Sequence, residues 1–373
     1  MVTKKKKIKK KKVAAVNVVV KKKEVGKVKD LIKSEDVVEK VLVSGDVKVD
    51  KPLVEVKDVN VAEVLVDIEK EMSQIVVGQK EIIQGILRGI LCNGHVLVEG
   101  VPGTAKTLIV RAMATILGCD MKRIQFTVDL LPTDITGIMS YSPEKGFKVE
   151  KGPIFTNFVL ADEINRSPPK TQSALLEAMQ EKEVTIAKET HTLPLPFFVM
   201  ATENPVENSG VYTLPEAQVD RFLFKLLIGY PDPKEEQGVL IKNTTTKTFE
   251  SYNLRPILNP GIIIQLQEKV KEIFTSEVIE EYIIKIVGQS RDKEWEFGKY
   301  ISYGASPRAS IALYIASKAE ALMHGRDYVI PEDVKEVVYP VLRHRIILNY
   351  EAEAEGITTD KVIAQILSKV RVP

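Results

Sequence analysis

The spacing of apolar residues changes several times along the chain, and each change marks an element. Ile82, Ile83, Ile86, Leu87, Ile90 and Leu91 recur at three- and four-residue intervals, which predicts an amphipathic helix. His95–Glu99 is too short and apolar for a helix and reads as a buried strand, followed by a Gly/Pro loop and a helix over Leu108–Leu117. Four more short apolar runs follow: Arg123–Thr127, Phe158–Ala161, Phe197–Ala201 and Phe222–Ile228. Helical or loop material separates each from the next, the pattern of a parallel sheet with helices on both faces. Past Pro231 no strand is expected. Pro260–Phe274, Ser276–Gln289, Ser306–His324 and Pro331–Leu342 read as amphipathic helices, several opened by Ser or Pro. An α/β domain over residues 61–230 is therefore expected to precede an all-helical one over 231–373, joined near Tyr230-Pro231-Asp232-Pro233.

Charge changes this picture only at the amino end. Residues 1–60 hold 18 lysines against 9 acidic residues, a charge of +9, which leaves −7 for the rest of a chain whose net charge is +2. The mildly acidic body argues against a large nucleic-acid surface on the core. Lys4–Lys12 followed by Val13–Val20 imitates a secretory signal, but the apolar stretch is short, contains Asn17 and ends at Lys21-Lys22-Lys23 without a cleavage site. The run reads as a solvated tail, with a docking arm for nucleic acid or an acidic partner as the alternative. No stretch approaches the roughly 18 apolar residues of a membrane span. Two cysteines without a CxxC partner, Cys92 and Cys119, fit a reducing cytoplasm and no structural zinc site.

The candidate chemistry gathers where strands end. Gly100-Val101-Pro102-Gly103-Thr104-Ala105-Lys106-Thr107 lies between a strand and a helix, the context of a phosphate-binding loop. Backbone N–H groups and the helix N-terminus would face the phosphates of ATP, Lys106 would reach the terminal ones, and Thr107 would ligate Mg2+. Ala105 stands where glycine is usual, and is expected to hold a negative φ. A second apolar strand ends in Asp162-Glu163; adjacent carboxylates there are costly without cations or solvent. Asp162 is assigned to Mg2+ and Glu163 to the attacking water, against the alternative of a merely solvated strand end. A third strand runs into Thr202-Glu203-Asn204-Pro205, where Asn204 offers an amide to the γ-phosphate and water. One nucleotide at the carboxyl ends of the strands would account for all three.

Together GVPGTAKT, LADEINRSPPKTQSALLEAMQE (160–181), ATENP and LPEAQVDRF (214–222) resemble the MoxR group of AAA+ ATPases, and the similarity runs from about Val61 to the end. The resemblance implies a RecA-like sheet with the Asn204 strand between the phosphate-loop strand and the Asp162 strand. It makes Arg221 an arginine finger acting on the neighbouring subunit's ATP; by the residues alone an Asp220–Arg221 surface pair is an equal alternative. It makes Arg308, after Ser306-Pro307, a second sensor reading ATP from the lid. Gly78 and Gln79, within Ile75–Gln79, resemble the segment that packs on adenine. Tyr141–Glu150 and Glu183–Pro196 read as hairpins and resemble family insertions facing the ring pore or the adjacent subunit; the role of Arg166 is open.

The resemblance implies a cytoplasmic ATP hydrolase without a membrane span, forming homo-oligomeric rings, hexameric by family pattern, that remodels or matures a protein client such as one bearing a von Willebrand factor A domain. A nucleic-acid-dependent AAA+ motor is the alternative, with nucleic acid otherwise confined to the basic tail.

Overall fold

Alternation within each strand divides the apolar residues between two faces, and both faces are covered. In β1 (Val96–Gly100) Val96 and Val98 point to one side and Leu97 to the other. Phe158 and Leu160 oppose Val159 and Ala161 in the same way, as Phe198 and Met200 oppose Val199 and Ala201. All eleven are buried. A period of two with both faces apolar is what a sheet sandwiched between helices requires. Each Val, Leu, Phe or Met side chain among them contributes on the order of 1.5–3 kcal/mol by leaving water.

The computed structural model describes residues 61–101, 103–144, 146–205, 211–243 and 249–373. The basic extension over residues 1–60 and Pro102 lie outside the described residues. Two helices, α1 (Val61–Ser73) and α2 (Lys80–Leu91), precede β1. Next come α3 (Lys106–Ile116), β2 (Met121–Gln125), α4 (Pro132–Thr136), β3 (Gly137–Ser142), β4 (Gly146–Lys151) and β5 (Phe158–Asp162). The α/β layer closes with α5 (Pro169–Glu181), β6 (Glu183–Ile186), β7 (Glu189–Thr192), β8 (Phe198–Glu203), α6 (Glu216–Val219) and β9 (Phe224–Ile228). The five-stranded sheet runs β2-β5-β8-β1-β9 and every pairing is parallel. Asn204 therefore follows a strand lying between the Gly100 strand and the Asp162 strand, the order implied by the sequence resemblance. The register aligns Glu99 with Glu203, Gly100 with Ile228 and Gln125 with Asp162, so the carboxyl ends form one rim.

Both expected hairpins are present, β3 with β4 and β6 with β7. The helix α2 forms over the predicted span with its six apolar residues buried, and from Ile82 onward it is buried nearly all round, its Arg88 paired with the buried Glu320.

The lid contains α7 (Pro233–Asn243), α8 (Pro260–Glu272), α9 (Glu277–Gln289), β10 (Ile301–Tyr303), α10 (Pro307–Met323), α11 (Pro331–Leu342), β11 (Ile347–Leu348), α12 (Tyr350–Ala354) and α13 (Thr359–Lys369). Asn259 caps α8 by accepting from the Ile262 N–H at 3.0 Å. The antiparallel β10–β11 pair corrects the expectation of no strand past Pro231. Segments of three and two residues are too short to show alternation. Gln267 of α8 donates to the Ile90 carbonyl at 2.7 Å, and Arg88–Glu320 joins α2 to α10, so helical and α/β layers share a core. Among the described residues no helix is long and apolar enough to cross a membrane.

Candidate functional site

The loop after β1 is shaped by two close constraints. A Cβ on Gly100 would meet Ile228 Cγ2 at 1.9 Å, because β9 lies against it. Gly103 has open space but φ +86°, a conformation that favours glycine. Ala105 corrects the sequence expectation: its φ is 59° and ψ 22°, left-handed, not negative. A left-handed alanine costs about 1–2 kcal/mol, and the loop retains it at the residue before α3. The hydroxyl of Thr104 donates to the Val101 carbonyl at 3.0 Å, bracing the turn. Lys106 opens α3 and donates its Nζ to the Gly100 carbonyl at 2.5 Å. Burial pushes the Lys106 amine down from its usual range, opposed by the nearby carboxylates of Asp162, Glu163 and Glu99. The unpaired N–H groups of the first helical turn face the same rim.

Asp162 and Glu163 do not form a loose acidic end. Asp162 Oδ2 accepts from Arg123 Nε at 3.0 Å and Nη2 at 2.6 Å, and its Oδ1 accepts from Thr202 Oγ1 at 2.7 Å. Glu163 turns out of the strand with φ 57° and ψ 52°, and its N–H donates to the same Thr202 oxygen at 2.9 Å. Its carboxylate Oε2 accepts from Gln125 Nε2 at 2.8 Å and pairs with Arg166 Nε at 3.1 Å. Cations and hydrogen bonds thus offset the repulsion of adjacent carboxylates. Asn204 is buried just beyond Thr202 on the same rim. Glu203 is pushed above the usual carboxylate range, chiefly by burial, with Lys225 opposing.

Three of these residues were missed by sequence reading. Thr202 stood inside a motif whose Asn204 drew attention. Arg123 and Gln125 alternate on β2, so they share one face and reach the Asp162–Glu163 corner together; that period-two polar pair was the available signal. Gly78 and Gln79, with φ of 68° and 56°, also come to this rim: Gln79 Nε2 donates to the Gly229 carbonyl at 3.5 Å. Thr107 follows Lys106 and lies half-buried. The donor set of one hydroxyl and one carboxylate, Thr107 and Asp162, suits magnesium, which takes few protein ligands and completes its shell with phosphate and water. Among the described residues no group of three or more His, Cys, Asp or Glu converges on a metal.

Arg221 and Arg308 do not join this group. Both line a hollow of about 270 Å³ with His95, Met179, Gln180 and Asp220. His95 precedes β1, so this hollow lies at the amino-terminal rim, roughly 16 Å away by strand length. Arg221 is exposed and makes no ion pair among the described residues. Asp220 pairs instead with Arg345 at 2.8 Å and Arg308 at 3.6 Å, so the Asp220–Arg221 surface pair is not formed. His95 is fixed by two bonds, Nε2 to the Met179 carbonyl at 3.0 Å and Nδ1 accepting from Val199 N–H at 3.1 Å. Its burial lowers its pKa to about 4 and keeps the ring neutral.

Comparison with known proteins agrees with this architecture. Residues 95–224 match the model of the AAA family, ATPases associated with various cellular activities, and residues 298–366 match an AAA lid domain. The chaperone MoxR1 of Mycobacterium tuberculosis is 46% identical over 308 residues, 81% of each chain. An uncharacterised Bacillus subtilis protein, YeaC, is 47% identical over 82% of this chain and 93% of its own. MoxR of Paracoccus denitrificans is 31% identical over 78% of this chain and 91% of its own. A crystal structure of a protein assigned as an ATPase, from Cytophaga hutchinsonii, superposes with a TM-score of 0.78 at 48% identity, covering 84% of this chain and 96% of that one. With its phosphate loop, acidic strand end, sheet order and helical lid in place, the chain belongs to the MoxR family of AAA+ ATPases.

Proposed function

We propose that the protein works as a ring of identical subunits, a hexamer, in which each ATP is held at one subunit's carboxyl rim and completed by Arg221 and Arg308 of the next. The observation that carries this reading is the separation of the two rims. A guanidinium roughly 16 Å away across the sheet cannot reach its own subunit's phosphates, whereas the rim of a second copy can. The reading reassigns Arg308: sharing one hollow with Arg221, it attends the neighbour's nucleotide instead of its own subunit's.

Within the site Glu163 orients and deprotonates the attacking water, and Asn204 holds that water against the γ-phosphate. Lys106 offsets phosphate charge, and the loop N–H groups bind the oxygens. Thr107 and Asp162 would hold magnesium, whose chemistry is to neutralise charge on the transferring phosphoryl group. Gly78 and Gln79 flank the base. Arg221 stabilises charge developing in the transition state, which a planar and permanently charged group suits.

The cycle remodels or matures a protein client in the cytoplasm. Tyr141 and Phe147 are directly paired across the β3–β4 hairpin, with ring centroids 5.1 Å apart, and are 66% and 73% exposed. An exposed aromatic pair on a projecting hairpin favours contact with a protein. The M. tuberculosis relative is named a chaperone, and the family resemblance points to a client with a von Willebrand factor A domain. Glu163→Gln tests the reading: with ATP it should sediment as a hexamer and retain such a client, lost with Lys106→Ala. A monomer under these conditions, or retention of nucleic acid by protein lacking residues 1–60, contradicts it.

A further inference from the structure

Arg221 lies in the short segment between α6 and β9, and that segment is held largely from the lid. Arg345, 3% exposed, follows α11 and spreads its guanidinium over this backbone. Its Nε donates to Asp220 Oδ1 at 2.8 Å, its Nη2 to the carbonyls of Phe222 at 2.8 Å and Asp220 at 3.4 Å, and its Nη1 to that of Leu223 at 3.1 Å. His344 adds a bond from Nε2 to the Phe222 carbonyl at 3.0 Å. Burial holds this ring neutral, so its proton sits on Nε2, and Nδ1 is buried without a partner. Ser306 stands at the N-cap of α10 yet makes no side-chain bond to its own helix; its hydroxyl donates to Asp220 Oδ2 at 3.2 Å.

Two local rules are set aside here. A capping bond is given up, and a charged pair is buried where apolar packing would serve stability equally well. What the arrangement gains is geometry: donors from two lid segments converge on the residue before Arg221 and on the carbonyls just after it. We propose that Asp220 and Arg345 are positioning residues for Arg221, so that the lid of one subunit sets the hydrolytic competence of the ATP in the neighbour it faces. The proposal rests on the reading that Arg221 acts across the subunit interface. A lid shift moves the backbone of the finger with it, and a misplacement of about 1 Å costs on the order of 10²-fold in rate.

Arg221→Ala, Asp220→Asn and Arg345→Lys are assayed alone and mixed with Lys106→Ala, together with binding of a fluorescent ATP analogue and the thermal midpoint. The Lys106→Ala subunit brings an intact finger but no ATP; each variant brings an intact phosphate loop. Asp220→Asn and Arg345→Lys are expected to lose turnover on the order of 10²-fold, to bind the analogue as the wild type does, and to regain turnover in the mixture, as Arg221→Ala does. A merely structural role would lower the thermal midpoint or analogue binding, with no recovery. Should Arg221→Ala be inactive and recover while Asp220→Asn keeps full turnover or fails to recover, positioning is overturned and the finger reading stands. Should Arg221→Ala stay active, or fail to recover, the finger reading falls and positioning with it. Asp220→Asn keeps the side-chain shape and an acceptor for Arg345, so it decides the matter if Arg345→Lys does not fold.

Discussion

The two rims of the sheet are held by opposite means. At the carboxyl rim Asp162, Glu163, Thr202, Arg123 and Gln125 bond to one another across three neighbouring strands. Strand register alone brings them together. At the amino rim the Arg221 side chain makes no such bonds among the described residues, and its neighbours Asp220 and Phe222 are gripped by Arg345, more than 100 positions later in the chain. The half that we assign to nucleotide binding is thus held locally, while the half that we assign to triggering is held from the lid. Binding and hydrolysis should therefore separate cleanly by mutation.

The largest separation is expected from Arg221→Ala. Turnover should fall on the order of 10³-fold or more, with ATP affinity unchanged because the phosphate loop that holds ATP lies at the other rim and Arg221 acts on charge that develops only in the transition state; a matching loss of affinity in equilibrium binding would break the comparison. Glu163→Gln should cost on the order of 10²–10⁴-fold in turnover while trapping bound ATP, read by single-turnover assay. The variant acts at the opposite rim, so it should not be rescued by wild-type fingers.

Acid should weaken the amino rim first. His95 is buried neutral there with a pKa of about 4, below its unfolded value, so the unfolded chain takes up its proton first and stability is lost as pH falls below about 6.5. Between pH 7 and pH 5 this amounts to about 2 kcal/mol from His95. Chemical denaturation of wild type and His95→Gln checks it: the variant should show a flatter dependence, and parallel slopes would exclude His95 as the cause.

Thr202→Val removes both bonds that tie Asp162 to the Glu163 backbone. A loss on the order of tenfold in turnover is expected, since each bond contributes about 1 kcal/mol, with little change in KM. Unchanged turnover would show that the strands alone fix the acidic corner. The smallest effect is assigned to Ala105→Gly, which relieves a left-handed alanine and should stabilise the nucleotide-free protein by about 0.5–1 kcal/mol.

What the sequence made legible follows the same division. The phosphate loop, the Asp162–Glu163 end and the strand order could be read because each strand carries its chemistry at its own carboxyl end. Burial of both faces wrote Val96–Val98 and Phe158–Ala161 as continuous apolar runs. Arg345 gave no signal, since its significance depends on carbonyls of Asp220, Phe222 and Leu223 that are distant in the chain. The left-handed turn at Ala105 was invisible because alanine does not announce it, and β10–β11 was too short to alternate. Arg308 could be picked out in the sequence as a candidate, but its rim could not, because lid placement is a tertiary property.

The central claim is that one subunit cannot complete its own site. Turnover per subunit, followed while the wild-type protein is diluted from assembled to monomeric at saturating ATP, tests it most directly. The account predicts that specific activity falls away as the rings dissociate, in step with the sedimentation profile. Constant turnover per subunit down to the monomer would contradict it.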